Sequence, residues 1–349
     1  MKILHSADWH LDTPFTGHTG KALATLRQAQ LALPGQIAEL CKTEGCDLLL
    51  LSGDLFDGAH SADSLRRVMQ ALEEAAVPVF ISPGNHDFCH PDSPYLTAIW
   101  PENVHIFTKP VIESIPLPDL DCRVYGAGYQ SMDCGALLEH FHTEGPEACH
   151  IAVLHGDPTQ LNAPYCPITQ AQVAASGLTY LALGHIHKAG QFLAENTLCG
   201  WPGCPMGRGN DECGEKGVYL VDTDEKALRF IPLDTPRFFD LQTEVTTTPA
   251  EAVRAVLPAM GNADFYRVTL TGEWEAFDAG AISFPDFPNL TIRDHTQPPV
   301  DLWGCIGEDT LEGNFFHMLH DALEQDAETA ILAAKISRKI LDGQEVVLP

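Results

Sequence analysis

The sequence predicts an α/β protein built from layers of strands and helices, and its first 85 residues carry the main signals. Short apolar runs at residues 2–5, 47–52 and 77–82 predict buried strands, and the second run contains four consecutive leucines. Apolar residues recur at helical spacing over residues 21–43 and 61–76, which predicts an amphipathic helix in each stretch. Strand and helix therefore alternate, and this alternation is typical of a sheet covered by helices.

The rest of the chain predicts two further parts after this α/β domain. Buried strands are expected near residues 151–154 and 180–183, and a hairpin near 218–233. A Pro-containing stretch at 232–236 predicts a domain boundary. After it we expect strands and one helix, and then two helices that close the chain. We therefore expect an α/β domain over 1–235, a smaller α+β cap domain over 236–300 and a helical C-terminal segment over 301–349.

Composition limits the class of protein. Apolar residues make up 45% of the 349 residues, so the chain holds enough apolar material for a large core. This excludes a disordered protein, a collagen and a small disulfide-stapled protein. The 48 acidic and 20 basic residues give a formal net charge of −28. A surface this negative repels nucleic acid and anionic membranes unless the field is reversed locally.

Cysteine usage and hydropathy predict a cytoplasmic protein without a membrane anchor. The eleven cysteines are an odd number and include no Cys-x-x-Cys pair. We interpret them as free thiols in a reducing cytosol, because only sequence proximity favours a zinc site at Cys199, Cys204 and Cys213. The N-terminal residues show no signal-peptide pattern, and no apolar stretch approaches the roughly 18 residues of a membrane span.

Polar residues follow five predicted buried strands directly. A single His after a strand is usually a hydrogen-bonded loop residue, and an Asp after Gly is usually part of a turn. Five such strand ends in one chain favour a binding site, because ligands of α/β sheets bind at the carboxyl ends of the strands. The segments are Asp8-Trp9-His10, Gly53-Asp54-Leu55-Phe56-Asp57, Gly84-Asn85-His86-Asp87, His155-Gly156 and Gly184-His185-Ile186-His187.

These side chains have the chemistry of a metal centre. Carboxylate, amide oxygen and imidazole together suit manganese, iron or zinc, whereas so many histidines are unusual for magnesium or calcium. One ion with an open position needs only about three to five protein ligands, so eight groups favour two ions with Asp54 as the bridge. The eight are Asp8, His10, Asp54, Asn85, His86, His155, His185 and His187.

The order of these motifs resembles the calcineurin-like metallophosphoesterase superfamily, over residues 8–187. Residues 3–15, Trp201-Pro202-Gly203 and residues 212–217 are similar to its SbcD/YhaO type of DNA repair exonuclease, and residues 313–316 add a weaker likeness. The resemblance implies a four-layer fold, in which two β-sheets form a sandwich flanked by helices. It also implies two divalent ions at the strand ends, for which we expect manganese, with iron or zinc as alternatives.

The resemblance assigns the ligands residue by residue. One ion is expected at Asp8, His10, Asp54 and His187, and the other at Asp54, Asn85, His155 and His185. Such a pair of ions lowers the pKa of a bound water and takes up phosphate charge. The chain is therefore expected to be an enzyme that hydrolyses phosphate esters.

Two further residues are expected to act in catalysis. His86 is not needed as a ligand, and it is placed to protonate the leaving oxygen or to donate a hydrogen bond to it. Asp57 is expected to hold His86 in the required tautomer. We expect Asp87 to brace its own turn, and His5 and His90 to have structural roles.

The residues leave the substrate open. Phosphoprotein phosphatases of this superfamily carry Arg after Gly-Asp-x-x-Asp to clamp a dianionic monoester, and this chain has Gly58 there. Without this Arg the site has less positive charge to bind a phosphate, which favours a monoanionic diester as substrate. We therefore expect a dinuclear phosphodiesterase, in the first place a DNA exo- or endonuclease subunit of SbcD type. A phosphodiesterase for cyclic or other small nucleotides and a non-catalytic binding module are the alternatives.

The expected partners follow from the charge and from the resemblance. A chain of net charge −28 grips DNA poorly by itself, so DNA ends or single strands would be delivered by a partner. In the resembled family this partner is an SMC-like ATPase, and a homodimer also stays open. The expected docking piece is the C-terminal segment, although its two helices could instead pack on their own domain. Its apolar positions are Leu319, Leu323, Ile331 and Ile336.

Overall fold

The fold is taken from a computed structural model, which describes residues 1–160 and 162–343. Its contacts divide the chain into two units, of which the first comprises residues 1–240, 262–266 and 287–289. The second comprises the remaining described residues from 241 onward. The predicted boundaries at residues 235 and 300 stay predictions, and the last six residues of the predicted segment 301–349 lie outside the described residues. No helix in the described ranges is long and apolar enough to cross a membrane.

The first unit contains, within its described residues, two six-stranded sheets. Their strands are, in chain order, β1 (Lys2–Ser6), β2 (Leu48–Leu51), β3 (Val79–Ile81), β4 (Val104–Ile106), β5 (Glu113–Leu117), β6 (Cys122–Gly126), β7 (Cys149–His155), β8 (Tyr180–Gly184), β9 (Gly190–Ala194), β10 (Thr197–Trp201), β11 (Gly217–Asp222) and β12 (Ala227–Pro232). The first sheet has the order β12-β11-β1-β2-β3-β4, and the second has the order β5-β6-β7-β8-β10-β9.

Both sheets are parallel at their centre, and antiparallel strands flank this part on one side of the first sheet and on both sides of the second. In the first sheet β1 to β4 run parallel, while the hairpin of β11 and β12 joins β1 antiparallel. In the second sheet β6, β7, β8 and β10 run parallel, and β5 and β9 are antiparallel edge strands. Parallel strands end on the same side of their sheet, so loops that follow them are neighbours.

The two sheets pack face to face, with helices on both outer faces. The helices are α1 (Gly20–Thr43), α2 (Ala62–Ala75), α3 (Pro94–Thr97) and α4 (Gln170–Ala175), with a 3-10 turn at Pro118–Leu120. Leu48 and Leu50 of β2 join Ile151 and Val153 of β7 in one buried cluster. The alternate leucines of β2 point the other way and pack with residues of α1 and α2. Residues of β7, β8 and α4 form a third cluster, so the predicted four-layer α/β fold class is confirmed.

The second unit combines strands and helices. Its elements are β13 (Phe238–Glu244), α5 (Pro249–Val256), β14 (Phe265–Thr271), a 3-10 turn at Ala279–Ala281, β15 (Leu290–Asp294), α6 (Leu311–Asp321), a 3-10 turn at Ala322–Glu324 and α7 (Ala327–Leu341). The three strands form a sheet in the order β13-β14-β15, which lies largely in this unit. Thr248 caps α5 by accepting from the backbone of Glu251, whose side chain bonds back to Thr248.

Candidate metal centre

All seven predicted ligands lie at the carboxyl ends of parallel strands in the first unit. The loops after β1, β2 and β3 supply four of them from the first sheet, and β7 with the loop after β8 supplies three from the second. The side chains are Asp8 and His10 after β1, Asp54 after β2, Asn85 after β3, His155 at the end of β7, and His185 and His187 after β8. Ligand atoms of Asp8, His10 and His187 lie within 4.8 Å of one another, and so do those of Asp8, Asp54 and His155.

The backbone is strained at four of these positions. Asp8, His10, Asp54 and His185 have φ angles of 54°, 44°, 51° and 91°, which residues other than Gly rarely adopt. Two bonds between neighbouring loops hold the strained segment: the Asp8 amide donates to the Gly53 carbonyl at 3.0 Å, and the His10 amide donates to the Asp54 carbonyl at 2.9 Å. Strain of this kind costs about 1–3 kcal/mol per residue and is concentrated at functional sites.

Two motif glycines let the loops approach closely. A Cβ at Gly53, whose φ is +87°, would lie 2.5 Å from Nδ1 of His155. A Cβ at Gly84 would overlap the carboxylate of Asp54. The glycines that precede Asp54 and Asn85 in the sequence are therefore required by the close approach of the loops.

In the first group of predicted ligands, two imidazole nitrogens face each other. Nε2 of His10 lies 3.2 Å from Nε2 of His187. Nδ1 of His187 donates to Oε1 of Glu212 at 2.7 Å, so its Nε2 carries a lone pair. Nδ1 of His10 lies 3.4 Å from Oδ1 of Asp57, and a proton on this side of the ring leaves Nε2 of His10 with a lone pair as well. Two lone pairs at this distance repel each other, and a cation that both nitrogens bind removes the repulsion.

The second group is also made of acceptors. Nδ1 of His155 donates to the carbonyl of Ser52 at 2.8 Å, which leaves its Nε2 as a lone-pair nitrogen. That nitrogen lies 2.9 Å from Oδ1 of Asn85 and 3.4 Å from Oδ2 of Asp54. Nδ1 of His185 lies 3.3 Å from the same oxygen of Asn85. Imidazole and oxygen donors of this kind fit a divalent transition-metal ion.

Burial sets the protonation of the site. It raises the pKa of Asp54 to about 7 and that of Asp8 to about 6, because the charged carboxylate is penalised away from water. Burial also lowers the pKa of His10 to about 3 and that of His185 to about 4, and it lowers the pKa of His155. These three histidines are therefore neutral at physiological pH, as metal ligands must be. At His187, burial lowers the pKa, but the hydrogen bond with Glu212 and nearby carboxylate charges together outweigh it, so this pKa is raised. Protons compete with a cation for the two carboxylates.

His86 is the most exposed polar side chain at the strand ends, with 41% of its side chain accessible. Its Nδ1 lies 3.0 Å from Oδ1 of Asp57, and this contact raises the pKa of His86. Contacts with His10 and His86 in turn hold the pKa of Asp57 well below its usual range. Ligand-type atoms of His10, Asp54 and His86 also lie within 4.8 Å of one another, so His86 borders the first group.

Asp87 has a wider role than the brace of its own turn that we expected. One oxygen accepts from the amide of Gly84 at 2.8 Å and from that of Asp54 at 3.2 Å. The other accepts from the amide of Leu55 at 2.6 Å and from the hydroxyl of Tyr95 at 2.5 Å. The buried carboxylate thus fastens the Asp54 loop to the Asn85 loop.

The two histidines that we expected to be structural make their side-chain contacts with residues other than the predicted ligands. His5 is buried in β1, where its ring contacts the hydroxyls of Tyr180 at 2.7 Å and Ser52 at 2.9 Å. His90 is exposed, and its ring lies at the edge of Phe88. These contacts are compatible with structural roles for both.

Sequence reasoning missed three residues at the site. Glu212 orients His187, and Arg208 bonds Glu212. Oδ2 of Asp157 lies 3.9 Å from Nε2 of His185, the nitrogen that points away from Asn85. Glu212 lies in a segment that already resembled the SbcD/YhaO type, but its contact with a ligand was not recognised. Arg208 gave no signal, because none of the motifs recognised in the sequence includes it.

A cluster of buried Asp, Asn and His at the strand ends of a helix-flanked sandwich defines the class of metal-dependent hydrolases. The chain belongs to the calcineurin-like phosphoesterase family, whose model matches residues 1–189. The predicted superfamily is therefore confirmed, and two relatives from Bacillus subtilis confirm the SbcD/YhaO branch.

Two curated relatives come from Bacillus subtilis (strain 168). The chain is 35% identical over 236 residues to "Uncharacterized metallophosphoesterase YhaO", a match that covers 63% of this chain and 57% of that protein. It is 27% identical over 268 residues to one subunit of the nuclease SbcCD, with 64% and 66% covered. The match thus spans less than two thirds of either relative.

Solved structures also match the chain. TT1561 of Thermus thermophilus is 14% identical, with a TM-score of 0.42, and the match covers 66% of this chain and 98% of that one. A structure described as a novel archaeal phosphodiesterase is 17% identical, with a TM-score of 0.36 and coverage of 67% and 100%.

Proposed function

We propose that this metal-dependent phosphoesterase is a dinuclear phosphodiesterase. The observation that carries the proposal is that Oδ2 of Asp54 lies between the two groups, 3.6 Å from Nε2 of His10 and 3.4 Å from Nε2 of His155. One ion would be held by Asp8, His10, Asp54 and His187, and the other by Asp54, Asn85, His155 and His185. Two bound divalent ions supply an activated water and positive charge for the phosphate. Manganese, iron and zinc all suit this donor set.

In this proposal His86 assists the leaving group. Its ring is the exposed one at the site, and Asp57 holds the proton on Nδ1 at 3.0 Å. Because Asp57 raises the pKa of His86, the imidazolium form persists closer to neutral pH. Nε2 can then give a proton or a hydrogen bond to the oxygen that departs from phosphorus. Asp57 itself touches no substrate and acts by positioning His86.

Two observations bear on the substrate. Gly58 stands where related phosphatases carry the Arg that clamps a monoester, which favours a diester. The 27% identity to a protein described as a nuclease subunit favours DNA as that diester, cleaved as an exo- or endonuclease. The net charge of −28 favours the second candidate, a phosphodiesterase for cyclic or other small nucleotides.

A nuclease of this charge would need a partner that brings DNA ends or single strands to the site. We place an SMC-like ATPase in this role, with α6 and α7 as the docking piece and a cytoplasmic location that suits the eleven free thiols. Within the described helices Leu319 packs toward the cluster around Phe316, whereas Ile331 is exposed at the surface. A homodimer is compatible with the same proposal.

The experiment that tests the function is a substrate panel on metal-loaded protein. Protein loaded with manganese, iron or zinc is incubated with bis(p-nitrophenyl) phosphate, p-nitrophenyl phosphate, cyclic nucleotides, single-stranded DNA and duplex ends. We expect metal-dependent hydrolysis of the diesters and cleavage of DNA, with an Asp54→Asn variant as the inactive control. Cleavage of small diesters without cleavage of DNA, even with an ATPase partner present, selects the small-nucleotide alternative. Hydrolysis of no ester under any metal refutes the proposal.

A further inference from the structure

Arg208 lies in the loop between β10 and β11, which passes beside His187. The amide of Cys204 in this loop donates to the carbonyl of His187 at 3.3 Å. The guanidinium of Arg208 bonds Glu212, with Nη2 at 2.6 Å from Oε1 and Nε at 3.2 Å from each carboxylate oxygen. The side chains are 21% and 6% exposed, so the pair is mostly buried. Arg208 is thereby held in one position next to a predicted metal ligand.

The hydrogen bonds show that Glu212, rather than Arg208, orients His187. Nδ1 of His187 has one proton to give, and Oε1 of Glu212 accepts it at 2.7 Å. Nη2 of Arg208 lies 2.9 Å from the same Nδ1, but two donors cannot bond each other. Nη1 of Arg208 has no hydrogen-bond partner in residues 1–160 and 162–343. The guanidinium is therefore held in place by Glu212, while the N–H groups of Nη1 remain available to donate hydrogen bonds.

Arg208 lies on the side of the site that meets solvent. Its guanidinium lies 2.9 Å from the ring of His187, whose side chain is 29% exposed. The rings of His187 and His86 both pack against the ring of His10, with centroid distances of 5.0 and 4.8 Å. Glu212 cancels most of the charge of Arg208 but leaves its donors available.

We propose that Arg208 donates a hydrogen bond from Nη1 to a non-bridging phosphate oxygen of the substrate and sets the preference of the site for a monoanionic diester. The inference rests on the proposed function and deepens it. A donor whose charge is largely cancelled fits one negative charge better than two, because a dianionic monoester gains more from a free cation. The chain lacks an Arg at Gly58, and Arg208 supplies a guanidinium from another loop.

The test compares Arg208→Ala with wild type and with Arg123→Ala. Arg123 pairs with Glu147 at 2.8 Å with nearly the same exposure, 20% and 11%, but at the amino end of β6, opposite the strand ends that carry the ligands. Arg208→Gln is made alongside, because it keeps a donor for Glu212 and guards against misfolding. For each protein we measure metal content, binding of dimethyl phosphate and inorganic phosphate by calorimetry, and kcat and KM on bis(p-nitrophenyl) phosphate.

Both Arg208 variants should keep the wild-type metal content, bind dimethyl phosphate about 10- to 100-fold more weakly and show a KM raised by a similar factor, as for a lost charge-assisted hydrogen bond. Arg123→Ala should match wild type. Wild-type binding in both Arg208 variants overturns the proposal. Loss of a metal ion in them also overturns it, since Arg208 would then only brace Glu212.

The Glu212→Gln variant tests the charge argument separately. Without the carboxylate of Glu212, the positive charge of Arg208 is no longer cancelled and favours the dianionic monoester. The ratio of kcat/KM for p-nitrophenyl phosphate to that for bis(p-nitrophenyl) phosphate should therefore rise. An unchanged ratio overturns the role of Arg208 in choosing a diester. If wild-type protein hydrolyses no ester, the proposed function fails, and the binding of dimethyl phosphate still decides whether Arg208 contacts the phosphate.

Discussion

Replacing His86 with Ala removes the proposed proton donor with little other damage. The side chain is 41% exposed, and its side-chain partner is Asp57 at 3.0 Å. Losing one such exposed contact should lower the free energy of unfolding by no more than about 1 kcal/mol. The fold should therefore remain, and the metal content should match wild type if His86 is not a ligand.

The size of the loss should depend on the leaving group. A positioned general acid contributes about 10²–10⁴-fold when the departing oxygen is a poor leaving group, such as the sugar hydroxyl of DNA. p-Nitrophenolate departs with little protonation, so the loss of kcat on bis(p-nitrophenyl) phosphate should be about tenfold or less. The assay measures kcat on a dinucleotide or DNA and on the aryl diester, together with the metal content of the same samples.

His90→Ala is the matched control, because His90 is an exposed His four residues further along the same loop. It should behave as wild type on both substrates. Equal losses of His86→Ala on both substrates would refute the proton-donor argument. A drop in metal content would instead identify His86 as a ligand, which its distance to His10 and Asp54 permits.

Three other changes test the energetics of the site. In Asp57→Asn the pKa of His86 falls, because the contact that raises it is weakened. Activity on DNA, which is lost as pH rises through that pKa, should therefore decline at lower pH than in wild type, and an unshifted pH profile of kcat contradicts this. Burial raises the pKa of Asp54 to about 7, so the folded metal-free chain holds this proton more tightly than the unfolded chain and loses that stabilisation as pH rises. A metal ion should therefore raise Tm more at about pH 8 than at about pH 5, and a pH-independent rise measured by differential scanning fluorimetry contradicts this. Tyr95→Phe removes the hydroxyl that donates to Asp87 at 2.5 Å. Urea denaturation should therefore give a free energy of unfolding lower by about 1–3 kcal/mol, with kcat nearly unchanged. A variant as stable as wild type contradicts a stabilising role for this hydrogen bond.

The sequence predicted the central strands β1, β2, β3, β7 and β8 because they are buried on both faces. The four leucines of β2 are apolar without interruption, since alternate side chains pack on the other sheet and on the helices. The grouping of strands into two sheets was not predictable in the same way. The hairpin of β11 and β12 extends the first sheet beside β1, and this pairing across more than 200 residues depends on packing that no local pattern records.

The predicted ligands were visible in the sequence because each stands at the end of a buried strand. The residues that orient them were not, because their positions depend on how loops pass one another. Glu212 reaches His187 from the loop after β10, and Asp157 reaches His185 from the loop after β7. Asp87 was recognised as a brace, but its bonds to the neighbouring Asp54 loop required the three-dimensional arrangement.

The most direct measurement for the two-metal account is the number of ions bound per chain, by elemental analysis after loading with manganese and removal of free metal. The account predicts two ions for wild-type protein and fewer than one for Asp54→Asn, since this carboxylate would serve both. Wild-type protein that binds one ion or none, or an Asp54→Asn variant that retains two, would contradict it.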